Sequence, residues 1–101
     1  MEIIFHAHHA TVSDSMRARA TRGVRKLSAR LTRAVDAVVR FEQDGRVRRV
    51  EIALRVPRQR DLVASGEGRF FGVALAAALA RLQSQLLKRR AGRTRAHPLA
   101  T

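Results

Sequence analysis

The chain has 101 residues, with 21 Lys+Arg set against 8 Asp+Glu and a formal net charge of +13. That length fits one domain, and a hydrophobic fraction of 46% is enough for a packed core, which excludes general disorder. The absence of cysteine excludes a disulfide framework and a thiolate nucleophile, and no apolar run approaches the ~20 residues of a membrane span.

Residues 2–8 alternate, with Ile3, Phe5 and Ala7 on one face and Glu2, Ile4, His6 and His8 on the other, which predicts a short strand. The N-terminus lacks the basic flank and long apolar stretch of a signal peptide, so a cytoplasmic location is expected. Ser13 is placed to cap a helix, with Asp14 in the first turn. Met16, Ala20, Val24, Leu27 and Leu31 recur at helical spacing, predicting a helix over 14–31 with Gly23 inside it. Val35, Ala37, Val39 and Phe41 return to period two, as do Val50, Ile52, Leu54 and Val56. Asp44-Gly45 between them predicts a type I′ hairpin turn. Arg40 and Glu42 would then face Arg49, Glu51 and Arg55 on the outer side. Pro57 ends the third strand, Leu62–Ser65 forms a fourth, and Gly66 and Gly68 close it. A helix over about 70–90 would bury Phe71, Leu75, Leu79, Leu82 and Leu86. The expected fold is α+β, in the order β-α-β-β-β-α, with both helices on one face of a four-stranded sheet. Residues 1–91 would form the domain and 92–101 a flexible basic tail.

The charge is not spread evenly. At about 100° per residue, Arg19, Arg22, Lys26, Arg30 and Arg33 fall in one arc flanking the apolar face of the first helix. Arg81 and Lys88 share a side of the last helix, and Arg89 and Arg90 extend the charge at its end. From Gly68 to Thr101 there are seven basic residues and no acidic one. Two helices on one sheet face would bring the stripes to a shared groove or ridge. Such an excess calls for a polyanion, either nucleic acid or an anionic membrane. Nineteen of the 21 basic residues are arginine. Bidentate phosphate binding favours that choice, and genome base composition would favour it equally. The chain has no Trp or Tyr, and all four Phe fall at expected core positions. Nucleic acid would therefore be read through phosphates and shape, without aromatic stacking platforms.

No catalytic constellation stands out. His6, His8 and His9 form the one cluster resembling a metal site, without a fourth ligand or a supporting carboxylate. Gly66-Glu67-Gly68 lacks the third glycine of a dinucleotide fingerprint and the Gly-Lys-Ser/Thr ending of a P-loop. Ser13 lacks a nucleophile elbow. No enzyme activity, metal or cofactor is expected. A hydrolase would need His6 or Glu67 beside the basic groove, and a membrane-surface helix would need apolar faces that the core already uses.

Several short strings, in order, resemble one family: the ribosome hibernation-promoting factors, also called ribosome-associated inhibitor or sigma-54 modulation proteins. These are Val12-Ser13-Asp14-Ser15-Met16-Arg17, Lys26-Leu27, Ala64-Ser65-Gly66-Glu67-Gly68, Arg81-Leu82, Gln85-Leu86 and Lys88, within residues 2–90. The resemblance implies a fold like a double-stranded-RNA-binding domain, lodged in the mRNA and tRNA channel of the small ribosomal subunit. It implies that the protein blocks translation and stabilises idle ribosomes in stationary phase, as a stress response. It assigns ribosomal-RNA contact to Arg22, Lys26, Arg81 and Lys88, supported by Arg25, Arg30, Arg89 and Arg90; Arg19 joins them from the charge pattern. A short form of the family is implied, monomeric when alone, with no membrane or small-molecule partner. The family's acidic residue and Tyr at the opening of the last helix, and an Asp one turn on, are replaced here by Phe70-Phe71-Gly72 and Ala76. The alternative is a general structured-RNA or DNA binder without ribosome specificity.

Overall fold

A computed structural model describes residues 1–31 and 36–99, with side chains described as far as Lys88. The elements are β1 (Glu2–His8), α1 (Asp14–Ser28), β2 (Asp36–Asp44), β3 (Val47–Arg55), β4 (Leu62–Gly68) and α2 (Phe71–Leu99). They form the expected β-α-β-β-β-α fold. The sheet runs in the order β1-β2-β3-β4, with β1 parallel to β2 and the other pairs antiparallel. The parallel pair is possible because α1 carries the chain back between β1 and β2.

One face of the sheet builds the core. In register, Ile3 lies beside Ala37 and Phe5 beside Val39, Val39 opposes Ile52, Phe41 opposes Val50, and Ile52 opposes Ala64. On that face pack Ala20, Val24 and Leu27 of α1 and Ala74, Leu75, Ala78, Leu82 and Leu86 of α2. The expected α2 face is present but rotated: Ala74 and Ala78 are fully buried, while Phe71 and Leu79 sit at the margin. Small residues go to the bottom because the helix lies close on β4. A Cβ at Gly66 would come within 2.3 Å of the Ala74 carbonyl oxygen. Gly66-Glu67-Gly68 accordingly belongs to β4, which is three residues longer than expected. The glycine run serves packing and forms no phosphate loop.

Ser13 caps α1, its Oγ accepting from the Met16 N–H at 3.1 Å. The helix ends at Ser28, short of the predicted 31; Arg30 and Leu31 continue in tight turns by donating to the Leu27 and Ser28 carbonyls. Leu31 still packs against the core. Gly23 faces α2, where an added Cβ would meet the Leu79 side chain at 2.6 Å. The β2–β3 turn also departs from expectation. Asp44 opposes Val47, so Gly45 and Arg46 are the central pair. Gly45 has φ +61° and Arg46 is not among the positive-φ residues, the sign pattern of a type II′ turn. α2 runs to Leu99, past the predicted end near residue 90, so its backbone takes in much of the basic segment 92–101. Val35 and Arg33 lie outside the described residues.

Candidate nucleic-acid interface

The two faces of the molecule carry opposite electrical character. The outer face of the sheet holds Glu2, Asp36, Glu42, Asp44, Glu51 and Glu67, six of the eight acidic residues, with Arg40, Arg49 and Arg55 among them. Across it Arg40 opposes Glu51, Glu42 opposes Arg49, and Asp36 opposes Arg55, as the alternation predicts. Two ion pairs form there, Arg55–Asp36 at 3.7 Å and Arg49–Glu51 at 3.5 Å. Both are substantially exposed, so each contributes at most about 1 kcal/mol. The helix layer is the reverse. α1 carries Arg17, Arg19, Arg22, Arg25 and Lys26, and α2 carries Arg81, Lys88 and the arginines beyond, against a single acid, Asp14.

Within that layer the predicted residues divide. Arg19, Arg22, Arg25, Lys26 and Arg30 are all exposed. Gly23 meets Leu79, and the Arg19 guanidinium reaches to Gly72, so this flank of α1 faces α2. At about 100° per residue Arg19 and Lys26 border the interhelical groove, while Arg22 and Arg25 lie on the crest, and Arg30 follows in the turn after the helix. Arg81 and Lys88 are on the opposite flank of α2. Arg81 Nη1 donates to the Ser65 carbonyl at 2.5 Å, and Gln85 Nε2 donates to the Val63 carbonyl at 2.7 Å. Both acceptors are on β4, the sheet edge. The two stripes therefore do not share a groove; they flank the outer ridge of α2, where Val73 and Leu87 are exposed. Arg81 also covers a strand edge whose carbonyls would otherwise be open to pairing. The side chains of Arg89 and Arg90 lie outside the described ones.

Sequence reasoning missed the opposite end of the helix layer. Phe70 is 67% exposed, which corrects its assignment to the core. Consecutive residues at a helix start are about 100° apart, so Phe70 and Phe71 cannot both point inward. Phe71 points inward at the margin of the core, edge-on to Phe41 at 5.4 Å between centroids. The Arg48 guanidinium lies 5.7 Å above the Phe71 ring and donates to the Arg69 carbonyl. Arg48, Phe70 and Phe71 line an open groove together with His9, Gln43 and Gly72.

His6 and His8 point outward from β1 opposite Arg40 and Glu42, and His9 turns the chain at φ 51° with its ring edge-on to His8 at 4.1 Å. Among the described residues no three His, Cys, Asp or Glu side chains converge on a metal position. No described helix is long and apolar enough to cross a membrane.

A family model described as sigma 54 modulation protein / S30EA ribosomal protein matches residues 3–94. No curated protein matches the chain. Among solved structures, a ribosomal subunit interface protein from Coxiella burnetii superimposes with a TM-score of 0.82 at 15% identity, over 90% of this chain and 99% of that one. The Protein Y N-terminal domain of Thermus thermophilus does so with a TM-score of 0.73 at 21% identity, over 84% of this chain and 94% of that one.

Proposed function

The chain belongs to the sigma 54 modulation protein / S30EA ribosomal protein family, and from that premise we propose that it binds ribosomal RNA of the small subunit in the mRNA and tRNA channel. It is a non-enzymatic, ribosome-associated protein of a hibernation-type family. In this proposal it inhibits translation and stabilises idle ribosomes under stress and in stationary phase. It acts in the cytoplasm and is a monomer away from the ribosome. Residues 1–91 form the ribosome-binding domain, and the basic segment 92–101 adds phosphate contacts.

The observation that carries this reading is the segregation of charge. The helix layer has one acidic residue and the outer sheet face has six, so the helix layer is the side suited to meet a polyanion. Arg19, Arg22, Arg25, Lys26 and Arg30 supply phosphate contacts from α1, and Arg81, Lys88, Arg89 and Arg90 supply them from α2. Arginine dominates, so bidentate contacts are available along both flanks.

Sedimentation with purified ribosomes across a salt series tests the proposal. The chain is expected to travel with the small subunit at moderate salt, and log K is expected to fall by about 0.7–0.9 per decade of salt for each phosphate neutralised. The double variant Lys26→Glu with Lys88→Glu should lose that co-migration while keeping its melting temperature. Lys88 is the better partner for this test because Arg81 also holds the β4 edge. Competition with naked duplex RNA or DNA separates this function from general nucleic-acid binding: equal displacement by duplex and by ribosomes refutes ribosome specificity.

A further inference from the structure

Both helices begin at the same end of the molecule, and the groove there is bordered by the α1 stripe only at Arg19, whose guanidinium reaches Gly72. The groove is open to solvent, so a ligand there would be held on one face and not enclosed. Three features describe what would fit. Phe70 offers an aromatic face that is 67% exposed and that has no ring partner among the described residues. Arg48 is pre-positioned over Phe71 and against the Arg69 carbonyl, and a guanidinium has five donors, so further acceptors can be bound. Gln43 and His9 add polar groups able to meet a base edge, and no described lining residue is acidic. A flat aromatic ligand bearing negative charge satisfies all three.

We propose that this groove binds one unpaired nucleotide, its base stacked on Phe70 and its phosphate or carbonyl oxygens held by Arg48. The nucleotide is either a bulged or looped position in RNA or a free mononucleotide. The RNA source deepens the ribosomal-RNA reading above and rests on it; the groove itself does not. Phe70 stands in the short segment between β4 and α2, next to Phe71, which packs against the core, and this suits a stacking platform. Phosphate contacts along the helices would fix orientation, and this position would recognise where the duplex is interrupted.

The test uses the full chain with two hairpin RNAs, one fully paired and one with a single bulged 2-aminopurine. The bulged hairpin is expected to bind about tenfold more tightly, within the range for one base stacked on an aromatic ring, and its fluorescence should be quenched on binding. Phe70→Leu keeps an apolar side chain at an exposed position, so the fold is retained; it should abolish both the preference and the quenching, while Phe70→Trp should keep them. Titration with adenosine monophosphate is the second arm: resonance shifts confined to the groove, with no bulge preference, would assign the site to a free nucleotide. Equal binding of both hairpins together with no nucleotide shifts, or Phe70→Leu behaving as wild type, overturns the proposal. Ribosome sedimentation separates the two readings, since loss of ribosome binding with the bulge preference intact overturns the ribosomal function alone.

Discussion

At the scale of single residues, space decides which glycines matter. At Gly66 an added Cβ meets backbone on α2, the Ala74 carbonyl oxygen at 2.3 Å and the Ala78 nitrogen at 2.6 Å. Backbone cannot rotate aside, so Gly66→Ala must lift α2 off β4. The expected cost is at least the 1–3 kcal/mol typical of overpacking, or about 3 kcal/mol, visible in thermal unfolding as a fall of roughly 10 °C or more. Gly23→Ala makes the contrast. Its Cβ meets only the tip of Leu79, which can change rotamer, and alanine recovers up to about 1 kcal/mol of helix propensity. Its melting temperature should stay within a few degrees of wild type. Equal effects from the two substitutions would show that α2 is not seated on β4 as described. Ser13 belongs to the same scale: its cap bond to Met16 explains it completely, and no nucleophilic role is needed.

At the scale of elements, α2 does two jobs on two flanks. Toward the sheet it buries Ala74, Leu75, Ala78, Leu82 and Leu86. Toward the β4 edge it sends Arg81 and Gln85 to carbonyls that have no further strand to pair with. Arg81 thus serves stability and charge together, whereas Lys88 serves charge. Arg81→Ala combined with Gln85→Ala should lower stability by about 1–2 kcal/mol, from two exposed hydrogen bonds of modest net value, and should raise self-association through the uncovered edge. Lys88→Ala should leave the melting temperature unchanged and lower only RNA affinity. Unfolding curves and light scattering on the two variants distinguish these roles. The length of α2 follows from the same logic. Among the described side chains Leu86 is its last buried one, and the helix backbone continues to Leu99, about 20 Å further along the axis at 1.5 Å per residue.

At the scale of the molecule, the net charge of +13 is less informative than its direction. The helix layer presents bases with only Asp14 among them, and the sheet presents six acids on its outer face. Near a phosphate surface that polarity would orient the protein before contact, because such a surface attracts one face and repels the other. Glu51→Lys with Glu67→Lys should erase the distinction. Binding to naked duplex RNA should then tighten, with a steeper salt dependence by about 0.7–0.9 per added phosphate contact. Ribosome binding should gain nothing or weaken, because the acids would be replaced on the face turned away from the site. An equal gain on ribosomes would mean that the sheet face also touches RNA. The element order, the core face of each strand, the Ser13 cap and the two basic stripes were legible in the sequence by itself, because periodicity and capping are local and each leaves a local pattern. Only the tertiary structure decided that the stripes flank the α2 ridge on opposite sides, that Arg81 is tied to β4, and that Phe70 faces solvent beside an open groove. Those outcomes depend on the rotation of α2 about its own axis. That rotation is set by how closely Ala74 and Ala78 can approach Gly66, a contact between residues far apart in the chain that no local spacing records.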